Sequence, residues 1–451
     1  MSKRILVVAL AAAFIVCGAA FAEVRSVKVS GDVTAQAISR DMSLGSPLAR
    51  DKEQFLLSQT RLKVSADLVE NVSSTVQLIN ERAWGVEDVA NTDIDLDQAY
   101  VELKEFFVQP LTLVVGRQPL KYGNGLVIGD PDTNCNASAS VPLAIKDLSL
   151  RKSFDAVKGV VNLAPFTIDL VYAKVAEGDT NKNDDVSLFG ANIAYEWSNN
   201  YGVSELYIFG ADSASSNLVT GLVEDRKNYV YTAGGRVMTP LSEHFIVSLE
   251  GAFQFGDYRQ YTTGLHTRLN AWAMQSALVY RFVDKGDTNI KLSYTWLSGD
   301  DPSSKHNEAW DPMFSDQVCS ELISKIKANS NAFNLRLEIT TMPREDLLLG
   351  LVFVDQMLAE KLPSATSRAE GLVTRYPGIY LPAYGPLSGN YYFINNVSRH
   401  LGDEVNAYAV YDYTEDVKLK VTGAYFMPGK LLAERNNSAG YSVRTGLSVD
   451  F

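Results

Sequence analysis

Residues 440–451 read GYSVRTGLSVDF and alternate without a break. Tyr441, Val443, Thr445, Leu447, Val449 and Phe451 fall on one side, and Ser442, Arg444, Gly446, Ser448 and Asp450 on the other. Period two places successive side chains on opposite faces of a strand. This strand therefore has one oily and one wet face, and the oily face needs an apolar environment. The same pattern returns upstream. Val27, Val29, Val33 and Ala35 oppose Lys28, Ser30, Asp32 and Thr34; Leu62, Val64 and Leu68 oppose Arg61, Lys63 and Asp67; Val417, Leu419, Val421 and Tyr425 oppose Lys418, Lys420 and Thr422. Half-polar strands of roughly ten residues, repeated along a chain, are the signature of a transmembrane barrel.

Connections carry a second rhythm. Short turns are expected at Asn71, Ala164-Pro165, 198–200, 240–243, 284–288, 343–346 and 414–417. Longer polar segments lie near 39–53, 84–93, 123–152, 177–186, 211–228, 257–267, 300–330, 360–403 and 429–439. Outer-membrane barrels alternate tight periplasmic turns with long extracellular loops in this way. The expected fold is all-β: a transmembrane antiparallel β-barrel of about 18 strands, short-turned on the periplasmic side and long-looped outside. An even number returns both ends to one side, and pairing the last strand with the first leaves no edge unpaired in lipid. A periplasmic β-sandwich fits less well, because the oily face recurs on every strand with nothing left to cover it.

The N-terminal stretch fits export. Lys3 and Arg4 precede an apolar run from Ile5, and Ala20-Phe21-Ala22 is a small-x-small site before Glu23. Residues 1–22 are expected to be a secretory signal and residues 23–451 the barrel. A lipoprotein reading through Cys17 is disfavoured by bulky Val16. Beyond the signal no apolar run approaches the length of a membrane helix. Formal charge is −12, and −14 once Lys3 and Arg4 leave, which argues against nucleic acid as a partner.

Several stretches resemble the alginate export porin family. They are LTLVVGRQPLKYGNGLVIGD (111–130), SFDAVKG (153–159), GGRVMTPLSEHFIVSLEGAFQFG (234–256), NAWAMQSALVYRF (270–282), LSYTWLSGDDP (292–302), WDPMF (310–314), LGDEVNAYAVY (401–411) and YFMPGKLL (425–432), in the family's order. The resemblance implies an 18-stranded outer-membrane barrel and outward passage of an acidic polysaccharide through a basic lumen. It also implies that the terminal aromatic, Phe451, is read by the barrel assembly machinery of the outer membrane.

Polar strand faces supply the candidate pore-lining or solute-binding residues: Arg61, Lys63, Lys158, Arg236, Glu250, Gln254, Arg336, Glu338, Lys418, Lys420 and Arg444. Acidic residues on the same faces nearly balance the basic ones, and a mixed lining weakens ion selectivity. These residues would either bind a passing solute or pair with one another along a wet wall. Arg117 is a further candidate. Counted from Leu111 it falls on the oily face, so it sits near the rim or is turned inward by a bulge at Gly116; the bulge is the favoured expectation.

The loops hold four further features. Residues 360–403 are dense in Pro, Gly and Tyr, and would constrict the pore if folded inward. Val318, Leu322, Ile323 and Ile326 are spaced for one short amphipathic helix. Cys135 and Cys319 both fall in loop-like sequence of an exported chain, where a disulfide is one possibility and two unrelated thiols the other. The segment 178–185 begins like a calcium loop but lacks the later glycine and glutamate.

No cofactor or metal is expected, because the four histidines have no ligand spacing and no catalytic motif is present. The expectation is a passive outer-membrane channel for small hydrophilic solutes or oligosaccharides, embedded in outer-membrane lipid and not an enzyme. The alternatives are a dedicated exporter of an acidic polysaccharide such as alginate, a surface adhesin, and a barrel-borne hydrolase using His266 or His306.

Overall fold

The computed structural model describes residues 25–42, 44, 52–86, 93–132, 147–177, 185–197, 202–216, 223–259, 266–301, 303–326, 329–361, 398–432 and 437–451. The signal segment, Cys135, most of 178–185 and residues 362–397 of the 360–403 segment lie outside them.

Eighteen strands follow one another. The first nine are β1 (Ser26–Asp41), β2 (Lys52–Val69), β3 (Val72–Ala83), β4 (Asp95–Leu103), β5 (Leu111–Pro119), β6 (Ser153–Leu163), β7 (Phe166–Ala176), β8 (Val186–Glu196) and β9 (Val203–Ser216). The rest are β10 (Val223–Pro240), β11 (Phe245–Arg259), β12 (His266–Arg281), β13 (Asn289–Leu297), β14 (Ala332–Arg344), β15 (Leu347–Met357), β16 (His400–Asp412), β17 (Val417–Pro428) and β18 (Gly440–Asp450). A single helical turn, α1 (Ile323–Ile326), lies between β13 and β14. Each strand pairs antiparallel with its neighbours in sequence, and β1 pairs with β18, so the sheet closes into a barrel.

The ring closes at the C-terminal strand. Gly31 and Phe451 exchange backbone hydrogen bonds of 2.8 and 2.9 Å. A Cβ at Gly31 would lie 2.7 Å from the Phe451 ring, so the terminal aromatic covers a position that only glycine can occupy. Among the described strands, no edge remains to be hydrated or to recruit another chain.

The outward rows are the apolar ones. Val27, Val29, Leu62, Val64, Leu206, Leu249, Leu351, Val421, Val443 and Leu447 are all exposed, as side chains facing hydrocarbon rather than a core must be. Aromatic residues mark both borders of this band on β10–β12. Phe245 packs on Tyr280 at 4.9 Å at the short-turn end, while Phe253 packs on Trp272 at 4.4 Å and Tyr231 on Phe255 at 5.5 Å toward the long-loop end. Ten residues of β11 separate Phe245 from Phe255, roughly 34 Å along a strand and about 26 Å across the membrane at a tilt of about 40°. That is close to the girdle spacing of a tilted membrane barrel.

Each expected long connection falls between two consecutive strands, but the one expected at 211–228 is mostly strand: β9 and β10 run on into it and leave only 217–222 between them. One short turn, 104–110 between β4 and β5, has no counterpart in the sequence reading. Its Phe106, Phe107 and Val108 mimic a strand, but Glu105 and Phe107 take positive φ values of 52° and 62° that turn the chain.

The inner wall departs from a uniformly wet lining. Toward the long-loop end, inward residues of β6–β12 such as Phe154, Ala156, Val171, Ala173, Leu188, Phe209, Ala252 and Ala271 are buried and apolar. A second apolar patch contains Val352, Val354, Ala424 and Phe426 on β15 and β17. Both patches are covered by loops folded into the barrel, which is where the protein's aqueous core is interrupted by a hydrophobic one.

Candidate functional site

Eleven of the twelve predicted lining residues lie on inward rows, and most already have partners. Arg61 donates to Asp32 at 2.7 Å, Arg236 to Glu205 at 2.9 Å and Arg336 to Glu338 at 2.8 Å. Lys418 lies 3.6 Å from Asp412, and the Lys420 ammonium sits 5.8 Å from the centre of the Tyr408 ring. Arg444 pairs with Glu321 of an inserted loop at 3.0 Å. Lys63 and Lys158 form no ion pair among the described residues, and neither does Lys291, their counterpart on β13.

Arg117 is the exception. The β5–β6 ladder runs on without a register shift, pairing Val115 with Val157 and Arg117 with Asp155. Val115 and Val157 are exposed on the outer face, so Arg117 shares that face and bonds Asp155 at 3.3 Å. Gly116 does take φ +124°, with its missing Cβ aimed at the Ala99 carbonyl, yet no residue is inserted. The expected inward bulge is therefore corrected: Arg117 sits near the long-loop rim and escapes the cost of a buried midplane charge. Gln118 beside it faces inward, donating to the Ala156 carbonyl at 3.1 Å.

Glu250 and Gln254 on β11 face the lumen as tethers. Glu250 accepts the Asn124 backbone N–H at 2.8 Å and the Tyr207 hydroxyl at 2.9 Å. Gly123, with φ +58°, passes so close that a Cβ there would lie 2.4 Å from the Glu250 carboxylate. Gln254 makes a two-way pair with the Asp311 backbone, donating to its carbonyl at 2.7 Å and accepting its N–H at 2.8 Å. Two loops are thereby drawn into the barrel, the segment after β5 and the one between β13 and β14. They form a short ladder with each other: Phe314 donates to the Val127 carbonyl at 3.0 Å, and Gly129 to that of Phe314 at 2.7 Å. Leu126, Ile128, Trp310 and Phe314 are each no more than 2% exposed. Each such burial is worth about 1.5–3 kcal/mol.

Further anchors include two strand carboxylates that period two places inward but whose loop partners lie far away in sequence. Glu404 on β16 accepts the backbone N–H groups of Glu321, Leu322 and Ile323 at 2.8–3.1 Å, capping α1. Glu81 on β3 accepts from the Ser149 hydroxyl at 2.7 Å and the Leu150 N–H at 2.8 Å. Lys121 donates to Asp316 at 2.7 Å, and Lys152 pairs with the same carboxylate. Burial alone would raise the Asp316 carboxyl; the bonds from Lys121 and Lys152 overcome it and hold the group below the usual carboxylate range. Asp130 is the opposite case, pushed up to about 6 by burial against weaker help from the Asp132 N–H and Lys152.

The helix expected from Val318, Leu322, Ile323 and Ile326 shrinks to one turn. Leu322 and Ile323 are fully buried, but Val318 is 74% exposed and lies outside it. Cys319 has its sulfur 3.4 Å from the Ser324 hydroxyl. Its suggested pairing with Cys135 falls outside the described residues. His306 is exposed on a turn held by Ser304.

Below the inserted loops lies a cavity of 390 Å³, lined among others by Arg236, Lys291, Arg336, Asn124, Gln317 and Asn334. Its size suits a small solute. Its donors are guanidinium, ammonium and amide groups that can exchange hydrogen bonds with a hydroxylated or anionic molecule.

The geometry agrees with known proteins. The barrel is similar to OccK11 (OpdR) of Pseudomonas aeruginosa, at 12% identity over 94% of this chain and 96% of that one, with a TM-score of 0.54. It is similar to OccAB3 of Acinetobacter baumannii at 10% identity over 94% and 99%, with a TM-score of 0.55. A BenF-like porin from Pseudomonas fluorescens Pf-5 aligns at 10% identity over 95% and 99%, with a TM-score of 0.56. At such identities the likeness is one of fold. No curated protein sequence matches the chain. The alginate export profile, however, matches residues 36–444, nearly the whole length, and the chain belongs to the alginate export family.

Proposed function

We propose that the protein is a passive outer-membrane channel through which hydrophilic solutes diffuse. The observation that carries this reading is the lumen. A closed barrel with an apolar exterior encloses a 390 Å³ cavity, with Arg236, Lys291 and Arg336 in its wall, directly beneath two inserted loops, so passage is narrowed rather than wide open. Loops would then face the outside of the cell and the short turns the periplasm, with the signal at 1–22 directing export and Phe451 presented to the barrel assembly machinery. Outer-membrane lipid is the surrounding partner, and the role is non-enzymatic.

A second reading, outward passage of an acidic polysaccharide, is supported by the family name and by one feature of the lining. Glu81, Glu250 and Glu404 are occupied in holding loops, while Lys63, Lys158 and Lys291 have no ion pair among the described residues. The apparent balance of charge in the sequence therefore overstates the negative charge that a solute meets. Reversal potential of the refolded protein in a planar bilayer, under a salt gradient, separates the readings. A diffusion channel with mostly paired charges gives conductance with mild anion preference. Strong anion selectivity sides with the polysaccharide route, and absence of conductance removes both.

A further inference from the structure

Asp355 on β15 and Asp403 on β16 are directly opposite in the ladder and face outward near the long-loop end. The next step of the ladder slips, so that Gln356 pairs with Gly402 and Met357 with His400. Gly402 takes φ +151° at this slip, and the extra residue, Leu401, is buried in the interior. His400 is thereby returned to the outer face beside both carboxylates. Its Nε2 lies 3.3 Å from Asp355 Oδ1 and 3.5 Å from Asp403 Oδ1. All three donor atoms fall within 4.8 Å of one another.

We infer that Asp355, His400 and Asp403 form a binding site for a divalent transition-metal ion of the zinc class on the outer surface of the barrel. Two observations carry it. The two spacings from the imidazole to the carboxylates, 3.3 and 3.5 Å, match the edge of a tetrahedron with bonds of about 2.1 Å, which is about 3.4 Å. The imidazole is aimed rather than loose, because a Cβ at Gly429 would lie 2.7 Å from His400 Nδ1 and 2.4 Å from its carbonyl oxygen. Glycine there lets the ring settle with Nε2 toward the carboxylates.

Electrostatics favours an ion as well. With a neutral imidazole the cluster holds two negative charges beside outward Met427 and Leu335, both partly exposed on the apolar face. Even an imidazolium leaves one charge uncompensated, and a divalent ion removes the excess. Two carboxylates with one imidazole select zinc-like ions over calcium or magnesium, which prefer all-oxygen shells. Three protein ligands leave a fourth position facing away from the barrel.

The test is zinc titration of the folded, full-length protein in detergent by calorimetry, with cobalt(II) absorption as a second probe. One zinc per barrel is expected, with a cobalt spectrum lacking a thiolate charge-transfer band. Asp355→Asn and His400→Gln should each weaken binding at least about tenfold. Both should keep the heat-modifiable gel shift of a folded barrel and unchanged bilayer conductance, since the site is outside the lumen. Stoichiometric binding that persists in both variants, binding that reports thiolate ligands, or no binding by the folded wild type would each overturn the inference. Because conductance is read separately, failure of the metal site and failure of the channel reading are distinguishable.

Discussion

Glu250 shows how much one inward carboxylate controls. It holds the Asn124 N–H and the Tyr207 hydroxyl, and Gly123 is folded against it. Removing the acceptor strands a part-buried backbone donor and the buried Tyr207 hydroxyl, and a hydrogen bond to a charged group contributes about 1.5–3 kcal/mol. Glu250→Ala is expected to raise the population of undocked loop tenfold or more, seen as larger and noisier single-channel conductance. Glu250→Gln retains an acceptor and should change it much less. The sequence marked Glu250 as inward, because a strand's facing follows from period two alone. Its role was hidden, because Asn124 lies in a loop 126 residues away. Arg117 shows the converse limit. Gly116 does bend the backbone, as glycine before an arginine and proline suggested, but only the ladder reveals that no residue was inserted.

At the scale of elements, strands were legible and loop docking was not. Apolar inward residues on β6–β9 broke the expected wet lining because their partners, Leu126, Ile128, Trp310 and Phe314, arrive from distant loops. The short turn at 104–110 was lost for a local reason: Phe106 and Phe107 look like strand. The inserted loops also carry a pH dependence. Asp130, raised by burial to about 6, takes up a proton in the docked loop before it would in a free one, whose carboxyl titrates near about 3.9. Docking is therefore favoured as pH falls through about 6 toward about 4, and disfavoured above it. Asp316 has the opposite shift, so its bonds to Lys121 and Lys152 persist across that window and fail only below the ordinary carboxylate range. Conductance is expected to fall between about pH 7 and about pH 5 in the wild type. Asp130→Asn should flatten that change; an equal fall in the variant would place the titration elsewhere.

The whole molecule combines two solvents. Outward rows meet hydrocarbon, inward rows meet water near the short turns, and loops supply a second hydrophobic core near the long-loop end. Alternation announced the first two, and the parity of strands followed from the rhythm of turns. The third depends on contacts between segments far apart in sequence. The central claim is that water and solutes pass the inserted loops and reach the lower lumen. Lys291 lines the cavity beneath the loops, whereas Leu292 is 45% exposed on the outer face. With Cys135 and Cys319 replaced by serine, Lys291→Cys and Leu292→Cys can be compared in reconstituted vesicles. A membrane-impermeant thiol reagent is added from the long-loop side only. Labelling at position 291 and none at 292 is the predicted result; silence at 291, or equal labelling at both, would contradict it.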